Sequence, residues 1–368
     1  YSPWRLLSRQ LKINLIDIDG LEIAIERDSS GTLNLPLAMM STDTSSGSGS
    51  GFRLLLDSLS LSDSHLNYED RSIPLTVFLN NVDVNYIKQP EAVPHLRLRT
   101  GDDKIEILNN HLTVDRFDVD AHWLPAGIRI DNLSLSLPDL VANGDYLLDW
   151  SESSATKING QARIKGKTTV LEPLLDALLA PAVFPISGDI NLAVTLNGTL
   201  EDISASIELK STEIQTDHFR LSNSHLIAGY EKDQMALRSL TLEMAGGKLE
   251  ARGNLSFDST LTHDLIIDMT SISLAQTLAD LYTAPNLYNG KINGQLHSSG
   301  SLADPDGMKI DGELTLSELV YDQIALAEMN IITSLTHRNI QTSLYYDQNR
   351  INLNVQLDDE NLVGDFSV

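Results

Sequence analysis

The stretch "GDINLAVTLNGTLED", residues 188–202, decides the fold class. Ile190, Leu192, Val194 and Leu196 alternate with Asn191, Ala193, Thr195 and Asn197, and a side-chain period of two marks a strand with one apolar and one wet face. Strands of that kind belong to antiparallel sheets, because strands of parallel sheets are buried on both faces and read as continuous apolar runs. The N-G and G-x-L-x-D signals that follow end the strand in a turn.

The same rhythm runs through most of the 368 residues. It recurs at Ile23 and Ile25, at Leu75, Val77 and Leu79, and at Val82 and Val84. Leu133 and Leu135, Ile203, Ile207 and Leu209, and Leu240, Leu242 and Met244 repeat it. So do Leu249, then Leu265, Ile267 and Met269, Leu314 and Leu316, and finally Ile351, Leu353 and Val355. These positions are expected to line one continuous apolar face. Turn signals at a spacing of about 8–12 residues imply on the order of twenty-five strands.

Two segments break the rhythm with helical spacing. Leu171, Leu174, Leu175 and Leu178 form the first stripe, within "TVLEPLLDALLA". Leu274, Leu278 and Leu281 form the second, with Ser273 as its N-cap. Aligning the stripes exposes a repeat of about a hundred residues: helix, linker, G-x-I-N, alternating strand, G-x-L-x-D turn. "GDINLAV" from Gly188 is the counterpart of "GKINGQL" from Gly290, whereas the identical "KINGQ" at 157–161 precedes its helix and is out of register. The expected organisation is a β repeat over 1–40, a Ser/Gly linker over 41–51 and β repeats over 52–169, followed by helix-plus-β units over 170–272 and 273–368. The chain opens at Tyr1 and ends within a strand pattern, as a fragment of a longer protein would.

Composition narrows the function. A net charge of −25 repels nucleic-acid phosphates and anionic headgroups alike, so no nucleic-acid partner is expected. Zero cysteines remove disulfides, thiol nucleophiles and cysteine-based metal sites. The longest apolar stretch, 172–185, is broken by Asp176 and two prolines and falls short of a bilayer span.

No cofactor, metal site or enzymatic activity is expected. Nine histidines are scattered, and the nearest pair, His218 and His225, would point to opposite faces of one strand. The carboxylates of "DDE" (358–360) and "EDR" (69–71) are what a chain with 51 acidic residues shows by chance. "GSGSG" lacks the flanking strand, helix and Lys of a phosphate loop. The Gly246-Gly247 pair is expected to supply positive φ in a tight hairpin, and Trp4, Trp123 and Trp150 to plug groove ends or turns.

So many half-apolar strands need a cover, and two short helices are too small to supply it. The sheet must pack on another sheet, close as a barrel, or curl into a trough that accepts a non-protein filler. Aromatic residues are 5% of the chain, and an aliphatic surface without polar anchors suits flexible acyl chains better than a defined small ligand.

The order of the motifs resembles the AsmA-like family of Gram-negative envelope proteins, most closely its TamB-type members. The opening "LLSRQLKINLIDIDGLEIAIERDSSGTLNLPL" (6–37) carries the family cadence at Asp19, Gly20, Arg27, Asp28, Gly31 and Asn34. The next unit, 56–87, is similar at Leu66, Tyr68, Asp70 and Arg71, and the Gly-Gly hairpin of 240–257 and "GKINGQLHSSG" continue the likeness. Members are usually longer and carry an N-terminal membrane anchor. The resemblance implies a mostly β fold: an elongated, curved antiparallel sheet forming a hydrophobic groove, with two short amphipathic helices. It implies a periplasmic location, anchored to the inner membrane, and bridge-like transport of phospholipids between inner and outer membranes. The alternative is a scaffold whose sheet edges assist insertion of an outer-membrane β-barrel protein partner.

Overall fold

The computed structural model describes residues 10–34, 53–72, 75–88, 93–107, 110–151, 155–171, 187–199, 202–216, 219–257, 261–281, 288–301, 304, 307–337, 339–346, 349–357 and 362–367. Strands make up 81% of the described residues. The chain divides into two units, Tyr1–Val183 and Phe184–Val368, so the boundary falls inside the expected 170–272 repeat. The Ser/Gly run 41–51 and most of the first expected helix lie outside the described residues; Thr168–Leu171 form a 3-10 turn.

Unit 1 contains β1 (Gln10–Ile13), β2 (Ile16–Asp19), β3 (Glu22–Arg27), β4 (Arg53–Leu56), β5 (Ser58–Asp70) and β6 (Leu75–Ile87). β7 (His95–Ile107), β8 (Asn110–Leu124), β9 (Gly127–Leu137), β10 (Leu140–Asp149) and β11 (Lys157–Lys167) complete it. Unit 2 contains β12 (Ser187–Thr199), β13 (Ile203–Gln215), β14 (Arg220–Glu231), β15 (Gln234–Met244), β16 (Gly247–Ser256) and β17 (Thr262–Ser273). After helix α1 (Leu274–Leu281) come β18 (Tyr288–Ser301), β19 (Lys309–Tyr321), β20 (Ile324–Ala325), β21 (Met329–Thr336), β22 (Asn339–Tyr346), β23 (Asn349–Leu357) and β24 (Leu362–Ser367).

From β5 to β11, and again from β12 to β24, each strand pairs antiparallel with its neighbour in sequence wherever a register is described. Two local branches interrupt the series: β19 takes β20 beside β21, and β5 takes β2 beside β3.

The opening repeat corrects the all-antiparallel expectation. β1 pairs parallel with β4, and β2 and β3 pair parallel with β5. A parallel pair requires a long crossover, and residues 28–52, polar Ser/Gly run included, supply the connection. Gln10↔Arg53, Ile16↔Leu59 and Glu22↔His65 share one offset, so the two family-like units lie side by side like rungs in phase.

The hairpin turns use local chemistry. Lys232-Asp233 and Asp322-Gln323 both take positive φ at two successive residues, the geometry that fits the right-handed twist of the flanking strands. At the next hairpin the positive φ falls on Ala245 and Gly246, one residue earlier than expected. Gly247 begins β16 instead, where a Cβ would lie 2.5 Å from the Ile272 nitrogen, so its role is close strand approach. Helix α1 matches the second helical stripe, and Ser273 Oγ accepts the Gln276 N–H at 3.3 Å as its N-cap.

Candidate functional site

Residues directly opposite in a sheet point to the same side, so the registers assemble the expected positions into faces. In unit 1, Ile23 and Ile25 face Leu66 and Tyr68, which face Leu79 and Val77; Leu75 lies opposite Ile107. Val84 faces Leu61 and Leu98, and Leu98 faces Val119, which meets Leu133 beside the Phe117–Leu135 pair. In unit 2, Leu192, Val194 and Leu196 meet Leu209, Ile207 and Ala205, with Ile203 opposite Gly198 and Ile190 in the same alternating row. The row continues through Leu226, Leu240, Leu242, Met244, Leu249, Ile267 and Met269 to Leu314, Leu316, Ile351, Leu353 and Val355. Leu265 joins it opposite Gly253. Every expected position therefore lies on one face of its own unit's sheet.

Parity along single strands is kept in register by β-bulges. Leu79 and Val82 are three apart yet share a face because Asn81, at φ 49°, inserts an extra residue. Asp63, Asp102, Asn223, Ser271 and Glu318 take the same positive φ within β5, β7, β14, β17 and β19. Each bulge bends its strand and strengthens the local twist.

The exposure of this face determines what it can do. Val82 and Leu242 are buried, Leu353 is 37% exposed, and all the other expected positions are half-buried. A second sheet packed at about 10 Å would bury them. Side chains that are fully buried, such as Ile272 at 1% exposure and Val114 at 2%, lie on this same face, as do Leu112, Ala121, Leu237 and Leu319. Crowding on one side and splaying on the other is the signature of a sheet curled with its apolar side inward. Glycines on that side permit the close approach: a Cβ on Gly253 would lie 2.0 Å from the Asp264 carbonyl oxygen, and its φ of +149° excludes most other residues.

The opposite face is polar and carries ladders of paired charges. Arg252 donates to Asp268 at 2.8 Å, Lys291 pairs with Glu318 at 2.7 Å and Arg220 with Glu213 at 2.8 Å. Such exposed pairs contribute little stability each and set solubility instead. A hollow of about 690 Å³ opens here, lined by Thr195, Ser206, Glu231, Arg238 and Asn254 among others.

Polar groups on the apolar face are partnered in unit 1 and partly unpartnered in unit 2, where Ser224 Oγ and His263 Nδ1 are buried without a hydrogen-bond partner. Asp103, 1% exposed, accepts the Asn80 N–H at 2.8 Å and the Thr100 hydroxyl, and burial raises its pKa. Ser64 accepts the Leu21 N–H at 3.3 Å and donates to the Ser62 carbonyl at 3.1 Å.

No protein-family model, curated protein or solved structure matches the chain.

Arg27, Asp28, Gly31, Asn34, Tyr68 and Asp70 gather at one end of β3 and β5, whereas Asp19 and Gly20 lie against Ser62. Asp70 accepts from Arg27 at 3.2 Å, from the Tyr68 hydroxyl at 3.0 Å and from Ser72 Oγ at 2.6 Å, and these hydrogen bonds hold its carboxyl well below the usual carboxylate range. Asp28 accepts from the Ser30 hydroxyl and from the Ser30 and Thr32 N–H groups, which lowers its pKa too. Asn34 Oδ1 accepts the Glu26 N–H while its amide donates to the Ala24 carbonyl. These residues lock the end of the parallel β3–β5 pair, which is a structural role.

Sequence reasoning missed inward residues beyond the bulges, among them Leu98, Val119, Leu237 and Leu296. It also missed a meeting on the polar face: His95 and His122, 27 positions apart, are direct cross-strand partners on β7 and β8. His218, one half of the pair weighed earlier, lies outside the described residues, and His225 pairs with Glu208 at 2.9 Å. Trp123 and Trp150 pack edge-on with centroids 6.2 Å apart at strand ends, and Trp4 lies outside the described residues.

Proposed function

We propose that this chain is a groove segment of the AsmA-like, TamB-type kind, which carries phospholipid acyl chains through the periplasm between inner and outer membranes without chemical catalysis. The observation that carries the reading is the apolar face in each unit: aliphatic across consecutive strands, inward-curled, and left half-open. Each methylene that an acyl chain buries there contributes about 0.8 kcal/mol, the same gain that protein atoms would provide. A chain reaching about 15 Å, half the ~30 Å bilayer core, crosses roughly three strands at ~4.8 Å spacing. Unit 2 thus offers several berths in series between β12 and β24. The polar outer face, in a chain of net charge −25, keeps the segment in water and away from anionic bilayer surfaces, so lipid exchange falls to the ends of the full protein.

The experiment is site-specific photocrosslinking in cells. A benzophenone side chain at Leu192 or Leu265 is expected to yield phospholipid adducts, and one at Thr195 or Asp264 on the polar face none. Equal yields at both sets, or protein adducts alone, would remove the lipid groove.

A further inference from the structure

We propose that the polar face of unit 1 holds a divalent transition-metal site of the Zn²⁺ class, built from His95, Asp120 and His122. The three donors come from adjacent strands, β7 and β8, and their ligating atoms all lie within 4.8 Å of one another. Ligands on a tetrahedral ion with bonds of ~2.1 Å stand about 3.4 Å apart, so small side-chain rotations close the set. The two imidazoles are stacked, with centroids 4.6 Å apart and planes 18° from parallel, and a tilt of one ring aims both at a common point.

The surroundings orient each donor. His122 Nδ1 donates to Asp131 Oδ2 at 2.7 Å, which leaves Nε2 as the free lone pair, the carboxylate–histidine arrangement that fixes tautomer and ring direction at metal centres. Asp131 is itself held by Arg129 at 2.7 Å. Arg97 donates to Asp120 Oδ2 at 2.9 and 3.3 Å, so the other oxygen, Oδ1, is the one turned to His95 Nε2 at 2.5 Å. A metal ion takes the place of the proton in that His95–Asp120 contact. The Arg97 and Arg129 guanidinium groups lower the affinity by their charge, and Arg97 confines Asp120 to one ligating oxygen. Side-chain exposures of 31%, 26% and 28% for His95, Asp120 and His122 leave a path for the ion and for water in the remaining coordination position.

Two nitrogens and one oxygen suit Zn²⁺, Cu²⁺ or Ni²⁺ and do not suit Mg²⁺ or Ca²⁺, which take all-oxygen sets. The site is independent of the lipid reading, because it faces away from the groove. Calorimetric titration of the purified protein with ZnCl₂, repeated with CoCl₂ to follow the ligand-field absorption, tests it. One saturable equivalent is expected, with His122→Gln and His95→Gln each weakening binding at least tenfold. Asp131→Asn, which removes no ligand, is expected to weaken it about 10–100-fold. His225→Gln, a histidine with a single carboxylate partner, is expected to leave it unchanged. Absence of a saturable equivalent would overturn the proposal, as would binding that survives His122→Gln or Asp131→Asn intact; circular dichroism on each variant confirms that the sheet is folded.

Discussion

Replacing Ile267 with Glu separates an open groove from a closed core. Ile267 sits on β17 between Ala251 of β16 and Leu296 of β18, in the middle of the unit 2 apolar face, and is half-buried. Burying such a side chain completely contributes about 1.5–3 kcal/mol, so losing its partial burial costs about 1 kcal/mol. The new carboxylate can reach water through the opening. For a domain of 150–250 residues, about 1 kcal/mol lowers Tm by roughly 2–4 °C. In a closed core the same change would bury an unpaired charge, at a cost of about 3–5 kcal/mol and a fall on the order of 10 °C or more. Lipid binding is predicted to suffer more than stability, since an acyl chain loses the methylene contacts and meets a charge. About 1.5–3 kcal/mol of affinity corresponds to roughly a 10–100-fold weaker Kd. Thermal melts read the first quantity, and titration with a fluorescent phospholipid reads the second. Thr241→Lys, on the opposite face across from His225 and Glu250, is the control that leaves both nearly unchanged. A large Tm loss with Ile267→Glu would refute the open groove, and so would undiminished lipid binding.

Asp103→Ala strands the Asn80 N–H and the Thr100 hydroxyl and is expected to cost about 1–3 kcal/mol in chemical denaturation. Asp103→Asn keeps an acceptor without the charge. Because burial raises the Asp103 pKa, the folded protein favours its protonated form, so wild type loses stability relative to Asp103→Asn as pH rises from about 4 toward neutrality. Asp70 shows the opposite sign: its lowered pKa means that the stability it contributes is present above about pH 4 and is lost on acidification. Asp70→Asn is therefore expected to lower Tm at pH 7, by a deficit that narrows steadily as pH falls below about 4. Gly253→Ala places a Cβ against the Asp264 carbonyl at a φ that only glycine adopts readily, and it is expected to lower the yield of folded protein, read by circular dichroism and soluble expression.

The repeating alternation made the strands legible, because a period of two has no other structural meaning over so many segments. Even the break between Leu79 and Val82 could be read, once Asn80-Asn81 is understood as a bulge that restores the face. Ser273 and the Leu274–Leu278–Leu281 stripe were sufficient to place α1. The parallel pairing of β1–β3 was hidden because parallel edge strands with one wet face alternate like antiparallel ones. A constant offset of 43 between Ile16, Ile23, Ile25 and Leu59, Leu66, Tyr68 was its only trace. Polar residues on the apolar face, Ser64 and Asp103, escaped notice because a bulge shifts their parity by one. The His95–His122 meeting depends on strand register, which neighbouring turns fix and local spacing does not reveal.

Native mass spectrometry of the protein, purified from an envelope extract in mild detergent and then exchanged into volatile buffer, tests the central claim most directly. The account predicts a folded protein carrying one or more phospholipid masses that Ile267→Glu depletes and Thr241→Lys retains. A folded, wholly lipid-free wild type that also refuses added phospholipid would contradict it.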